Sequence, residues 1–183
     1  KGFIMKNLEE IRPSVERFVT AVSNSLRLEV AVFDSNCQLF FCTPVYLKKK
    51  GRTVHTPSLR EVIENESVLV NTPGEMASCV GCRFKEHCPS TIEILCCIRA
   101  DTNVAGVLAF TSFTKEGQRR ISENTSVYLN AITEMANLFG GQILSISGGR
   151  GPANLDSNLI PIMELCEQPV LLTDAHGVIL QYN

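Results

Sequence analysis

From Pro13 onward the apolar residues Val15, Phe18, Val19, Val22 and Leu26 recur at three- and four-residue steps. That spacing places them on one side of an α-helix, and the proline suits its first turn. Two short β-rich runs follow, LEVAVFD and QLFFCT, around residues that favour a tight turn, and together they predict a hairpin over Leu28 to Thr43. TPSLREVIENES, with Thr56 or Ser58 as N-cap and Glu61 close behind, predicts a short helix, and SVLVN predicts a third strand. TIEILCCIRA and VAGVLAFTSF flank DTN as a second hairpin. Alternation along its first strand puts Ile92, Ile94, Cys96 and Ile98 on one face and Glu93, Leu95, Cys97 and Arg99 on the other, so the adjacent Cys96 and Cys97 point to opposite sides. The segment from Gln118 to Gly141 reads as one long helix, with Ile121, Thr125, Tyr128, Ile132, Met135 and Phe139 forming a seam.

Two stretches break the periodicity. TPGEMASCVGCRFKEHCPS is a loop that cannot hold itself by apolar burial and needs another fastening. SISGGRGPANLD, rich in Gly, Ser and Pro, ends the long helix and reads as a linker. The expected division is residues 1–145 as a first domain, 146–157 as linker, and 158–183 as the start of a second unit. The chain opens at Lys1 rather than Met and stops in mid-pattern at VILQYN, which suggests a piece of a longer protein.

Composition narrows the options. The 183 residues are 44% hydrophobic, enough for one well-cored domain and part of another. Seventeen Lys and Arg against nineteen Asp and Glu leave no positive field to draw the chain onto nucleic acid. KKKGR, Lys48 to Arg52, reads as a solvated loop tip. There is no apolar run of about 18 residues and no secretory pattern at the start, so the expected location is the cytoplasm, with no membrane contact. Eight cysteines in such a chain point away from a disulfide framework and towards metal ligation or redox chemistry.

CVGCRFKEHC concentrates that chemistry. Cys79 and Cys82 are spaced to bind one ion, and Cys88 arrives after a turn. A closed site needs a fourth ligand, for which Cys42, His87, Cys96 and Cys97 are candidates; Cys97 is preferred because Glu93 and Arg99 mark the less apolar face of its strand. The centre is zinc or an iron–sulfur cluster. Arg83 and Lys85 would stabilise thiolates with or without metal, a reversible Cys79–Cys82 disulfide is a second reading, and simple packing a third. Cys37, Cys96 and Cys166 are read as packing residues, and His176 as part of a turn.

The order helix, two strands, helix, strand, loop, two strands, long helix resembles a GAF domain: an α+β fold with an antiparallel sheet, flanking helices and a ligand pocket. PVLLTDAHGVILQYN, with Val170, Asp174, Gly177, Ile179 and Asn183 in place, looks like the opening of a PAS domain. With the Cys-x2-Cys-x5-Cys loop, the VAGVLAF strand and the Gln-Arg-Arg-Ile start of the last helix, the chain resembles the amino-terminal sensory region of sigma-54-dependent transcriptional activators of anaerobic bacteria. The resemblance implies a non-catalytic input domain that binds a small effector, a metal or a cluster and signals through its last helix to an AAA+ ATPase elsewhere. DNA and sigma-54 RNA polymerase would be met by other domains, and the last helix implies a homodimer. No Walker motif occurs in the chain. A GAF pocket here would be lined by Phe41, Tyr46, His55, Phe110 and Phe113. Two competing readings are a thiol enzyme of the free methionine sulfoxide reductase kind and a zinc-stapled dimerisation domain.

Overall fold

Five antiparallel strands in the order β2-β1-β5-β4-β3 form the central sheet: β1 (Glu29–Asp34), β2 (Leu39–Cys42), β3 (Val68–Asn71), β4 (Ile92–Ala100) and β5 (Asn103–Ser112). The computed structural model describes residues 8–52, 57–74, 76–146, 169–173 and 177–183. Helix α1 (Arg12–Leu26) precedes β1; α2 (Pro44–Lys50) and α3 (Pro57–Glu64) lie between β2 and β3; α4 (Lys115–Glu123) and α5 (Thr125–Ile146) follow β5. The α+β class and the order of strands along the chain are those expected of a GAF-like domain; the extra helix α2 and the division of the last helix were not expected. Among the described residues no helix is long and apolar enough to cross a membrane.

Both faces of the sheet are covered. One packs Val30, Val32, Ile92, Ile94, Cys96, Ile98, Leu108 and Phe110 against Val15, Val19 and Val22 of α1 and Ile132, Met135 and Phe139 of α5. Edge-to-face stacking of Phe18 on Phe139, with centroids 5.8 Å apart, ties the two helices together. The seam of the last helix therefore packs on its own sheet, with Tyr128, Ile132, Met135 and Phe139 all buried. The second face packs Ala31, Phe33, Leu95, Cys97, Val107 and Ala109 against Tyr46 of α2 and Leu59 and Val62 of α3.

The long helix is interrupted where the apolar spacing shows no break. Asn124 leaves helical geometry at φ −126°, and its side-chain amide donates to the Arg120 carbonyl at 3.1 Å. Asparagine competes in this way for backbone groups, so α4 stops and α5 restarts at Thr125. Farther along, α5 comes so close to the end of β4 that a Cβ on Gly140 would lie 1.8 Å from the Arg99 carbonyl oxygen; only glycine fits. At the carboxy-terminal end Leu171–Thr173 and Ile179–Tyr182 form a two-stranded antiparallel hairpin, β6 and β7, where the PAS-like opening was expected. The Val170 N–H donates to Asn183 Oδ1 at 2.7 Å across its open end. Most of the expected linker, together with His55, Cys166 and His176, lies outside the described residues.

Candidate functional site

The second face of the sheet is not uniformly apolar. Strand pairing sets Asn71 opposite Glu93, Glu93 opposite Thr111 and Thr111 opposite Glu29, so four polar side chains cross β3, β4, β5 and β1 in one row. Each lies two residues from a member of the apolar cluster on that face, which fixes its side by the period of the strand. Asn71, Glu93 and Thr111 are buried, with 4%, 6% and 0% exposure. Thr43, ahead of α2, donates its hydroxyl to Glu29.

Glu93 is the centre of the row. Its Oε1 meets Lys50 Nζ at 2.8 Å and accepts the Ser90 hydroxyl at 2.9 Å, while Oε2 accepts the Asn71 amide at 3.1 Å. Lys50 is 4% exposed, so both charges are inside the fold, where they persist only as a pair with further hydrogen bonds. The sequence reading of Lys48–Arg52 as a solvated tip is corrected here. Pro44 starts a helix in which three lysines form the last turn, favourably placed for the helix dipole, and the third turns inward. A cavity of about 10 Å³, room for one water, lies beside the pair and is lined by Phe33, Tyr46, Lys50, Ser58, Leu59, Glu93 and Leu95. Burial pushes the Tyr46 phenol well above its ordinary range, and the nearby Glu93 carboxylate adds to the effect, so Tyr46 is a neutral hydroxyl here.

The cysteine loop lies over the Lys50 end of α2. Arg83 donates to the Lys50 carbonyl at 2.7 Å and stacks over the Phe84 ring, 4.4 Å from its centroid. Lys50 Nζ lies 3.9 Å from Cys88 Sγ and 5.3 Å from the Phe84 centroid. Within the loop the Gly74 N–H donates to Cys79 Sγ and the Phe84 N–H to Cys82 Sγ, both at 3.2 Å. Burial raises the Cys82 thiol above its ordinary range; the Phe84 N–H works against that, and the sulfurs of Cys88 and Cys79 add to it. Such a thiol is the reverse of an activated nucleophile.

The four expected metal ligands lie on two different elements, the loop and strand β4. Cys79, Cys82 and Cys88 share the loop. Cys97 does not join them: it sits four residues beyond Glu93 on β4, about 13 Å along the strand at 3.3 Å per residue. It packs in the apolar cluster, where burial lifts its thiol to about 11. Among the described residues no group of three or more His, Cys, Asp or Glu is arranged to hold a metal ion. The expected pocket residues divide likewise. Tyr46 lines the cavity, and Phe113 packs on Tyr46 with centroids 6.0 Å apart. Phe110 points to the opposite face and is wholly buried under the helices, and Phe41 also packs on that side, edging an open groove with Arg17 and Thr20 of α1. Asn71 and Thr111 went unread, and Glu93 was read only as a mark of the less apolar face of its strand; the signal in reach was a lone Glu and a lone Thr within apolar strands.

No protein-family model matches the chain. Over 171 residues it is 27% identical to the "Putative uric acid sigma-54-dependent transcriptional regulator UacR" of Escherichia coli (strain K12), an alignment covering 91% of this chain and 28% of that protein. The chain thus spans little more than a quarter of its relative's length. The resemblance to sigma-54-dependent regulators read from the motifs holds in that alignment. Two solved structures are similar in outline. The cofactor-binding GAF domain of the nutrient sensor CodY from Clostridium difficile has a TM-score of 0.45 and 12% identity, covering 74% of this chain and 94% of that one. The type II free methionine-R-sulfoxide reductase of Thermoplasma acidophilum has a TM-score of 0.48 and 10% identity, covering 75% and 94%.

Proposed function

We propose that the chain is the sensory input domain of a sigma-54-dependent transcriptional regulator and that its effector acts at the buried Lys50–Glu93 pair. The observation that carries this reading is the pair itself: two charges, set in a core and sealed by a short helix and a loop, form a site whose state depends on what competes for either partner. The alignment with a sigma-54-dependent regulator supplies the setting, in which other parts of a longer protein contact DNA and RNA polymerase. An effector that takes Glu93 or Lys50 shifts the last turn of α2 and the cysteine loop above it. Strand β4 links that event to the output, because Glu93 faces the site while its neighbour Ile94 packs in the core under α5.

The relative's name makes uric acid, in its uncharged form, the first effector to try. In the full-length regulator, deletion of residues 8–146 is expected to change basal transcription from a sigma-54 promoter and to abolish the response to effector. A truncated protein that keeps both basal level and response would remove this reading.

A further inference from the structure

Two buried oxygens beside Glu93 have no hydrogen-bond partner among the described residues: Asn71 Oδ1 and Thr111 Oγ1. Buried polar atoms in folded domains are nearly always satisfied, so two orphans flanking one carboxylate call for a partner from outside the chain. Glu93 itself is not saturated: Oε2 accepts only the Asn71 amide. Resting on the sensory reading above, we propose that Asn71, Glu93 and Thr111 are the recognition edge for a small uncharged planar ring with adjacent N–H and C=O groups, a cyclic amide or ureide.

Each property of that ligand follows from the row. Asn71 Oδ1 and the free lone pair of Glu93 accept, so the ligand must bring N–H donors. The Thr111 hydroxyl donates as readily as it accepts, and a carbonyl beside the N–H satisfies it. Neighbouring strands lie about 4.8 Å apart, so the row from Asn71 to Thr111 spans about 10 Å, the breadth of one or two fused rings. The Lys50–Glu93 pair is already neutral, and a ligand with net charge would be buried without a counter-ion. Of the three row residues only Glu93 lines the cavity, whose Phe33, Tyr46 and Leu95 supply apolar walls; Asn71 and Thr111 continue the row beside it. The cavity of about 10 Å³ holds one water, so a ring enters only as the Lys50 end of α2 and the loop fastened to it by Arg83 withdraw. Binding and movement of the cover are then one event.

Thermal unfolding of the purified chain tests this with uracil and hydantoin as probes and 1,3-dimethyluracil, which has the carbonyls but no N–H, as control. Millimolar uracil or hydantoin is expected to raise Tm by about 3 °C and dimethyluracil to leave it unchanged. Thr111→Val is expected to unfold at the same temperature as the parent or higher without ligand, since it removes an orphaned hydroxyl, and to lose at least half of the uracil shift; Thr111→Ser keeps the shift. The proposal is overturned if neither probe shifts Tm, if dimethyluracil acts as strongly as uracil, or if Thr111→Val retains the full shift. Should that happen while the full regulator still loses its response on deletion of residues 8–146, the ligand class is wrong and the sensory role stands.

Discussion

The two faces of the sheet bury side chains to a similar degree and by opposite means. Under α1 and α5 the cover is two long amphipathic helices, and the core is apolar from β1 to β5. Under α2, α3 and the cysteine loop the apolar cluster stops short of the strand ends, and a polar row with one ion pair takes its place. The apolar face holds by shape and volume, so conservative apolar exchanges that keep its volume cost little. The polar face is conditional, because its energy depends on every partner being present at once. A fold that keeps one face fixed and makes the other conditional has a frame and a movable part.

The largest expected effect breaks that asymmetry directly. Lys50→Met leaves the Glu93 carboxylate buried without its counter-charge and should cost about 3–5 kcal/mol, whereas Lys50→Met with Glu93→Leu should recover most of the loss. Ile94→Val, next door on the apolar face, should cost only about 1 kcal/mol. Urea unfolding of the three variants gives the ordering; a double variant as weak as the single one would show that the pair does not couple as the geometry demands.

On the fixed face the tightest point is Gly140. A methyl there meets the Arg99 carbonyl, and Gly140→Ala should destabilise by about 1–3 kcal/mol despite the better helix propensity of alanine. An equal or higher Tm would mean that α5 slides on the sheet and that the frame is less rigid than its packing.

Cys96 and Cys97 compare the faces within two residues. Burial lifts both thiols from about 9 to about 11, one under the helices and one on the conditional side. The unfolded chain releases these protons near pH 9 and the folded chain retains them to about 11, so their contribution is whole below pH 9 and is lost as pH rises to 11. After allowance for solvent, each is worth about 1–2 kcal/mol. Cys96→Ala and Cys97→Ala should each flatten the fall in urea midpoint between pH 9 and 11, by similar amounts; Tyr46 contributes a remaining slope of the same sign. A flattening seen with only one of them would show that the two faces differ in water access.

What could be read from the sequence follows the same division. The helical spacing of α1 and the alternation of β4 were legible because each has one dominant period. The side of Phe110 was not: VAGVLAF is apolar on both faces, as a strand covered on both sides must be, and alternation then carries no sign. Lys50 was unreadable for another reason. Its burial is decided by Glu93, distant in the chain, and three consecutive lysines look solvated until tertiary structure turns one of them inward. The CxxC spacing drew attention to the loop, and the loop does meet the buried pair, through Cys88 and Arg83 rather than through Cys97.

The smallest effect on global stability is expected at Arg83, and it separates the movable part from the frame most sharply. Arg83 joins the cysteine loop to α2 by one charge-assisted hydrogen bond to the Lys50 carbonyl and by stacking on Phe84. Few apolar residues of the loop are buried, so losing that tie opens the loop without exposing the sheet. Arg83→Ala should therefore lower the unfolding free energy measured in urea by less than about 1 kcal/mol while amide exchange at Gly74, Phe84 and His87, whose N–H groups are bonded within the loop, speeds up by about tenfold or more. Amides of β4 and β5 should exchange as in the parent. If Ile94 and Leu108 accelerate together with the loop, the cover and the core open as one unit, and the cysteine loop belongs to the frame.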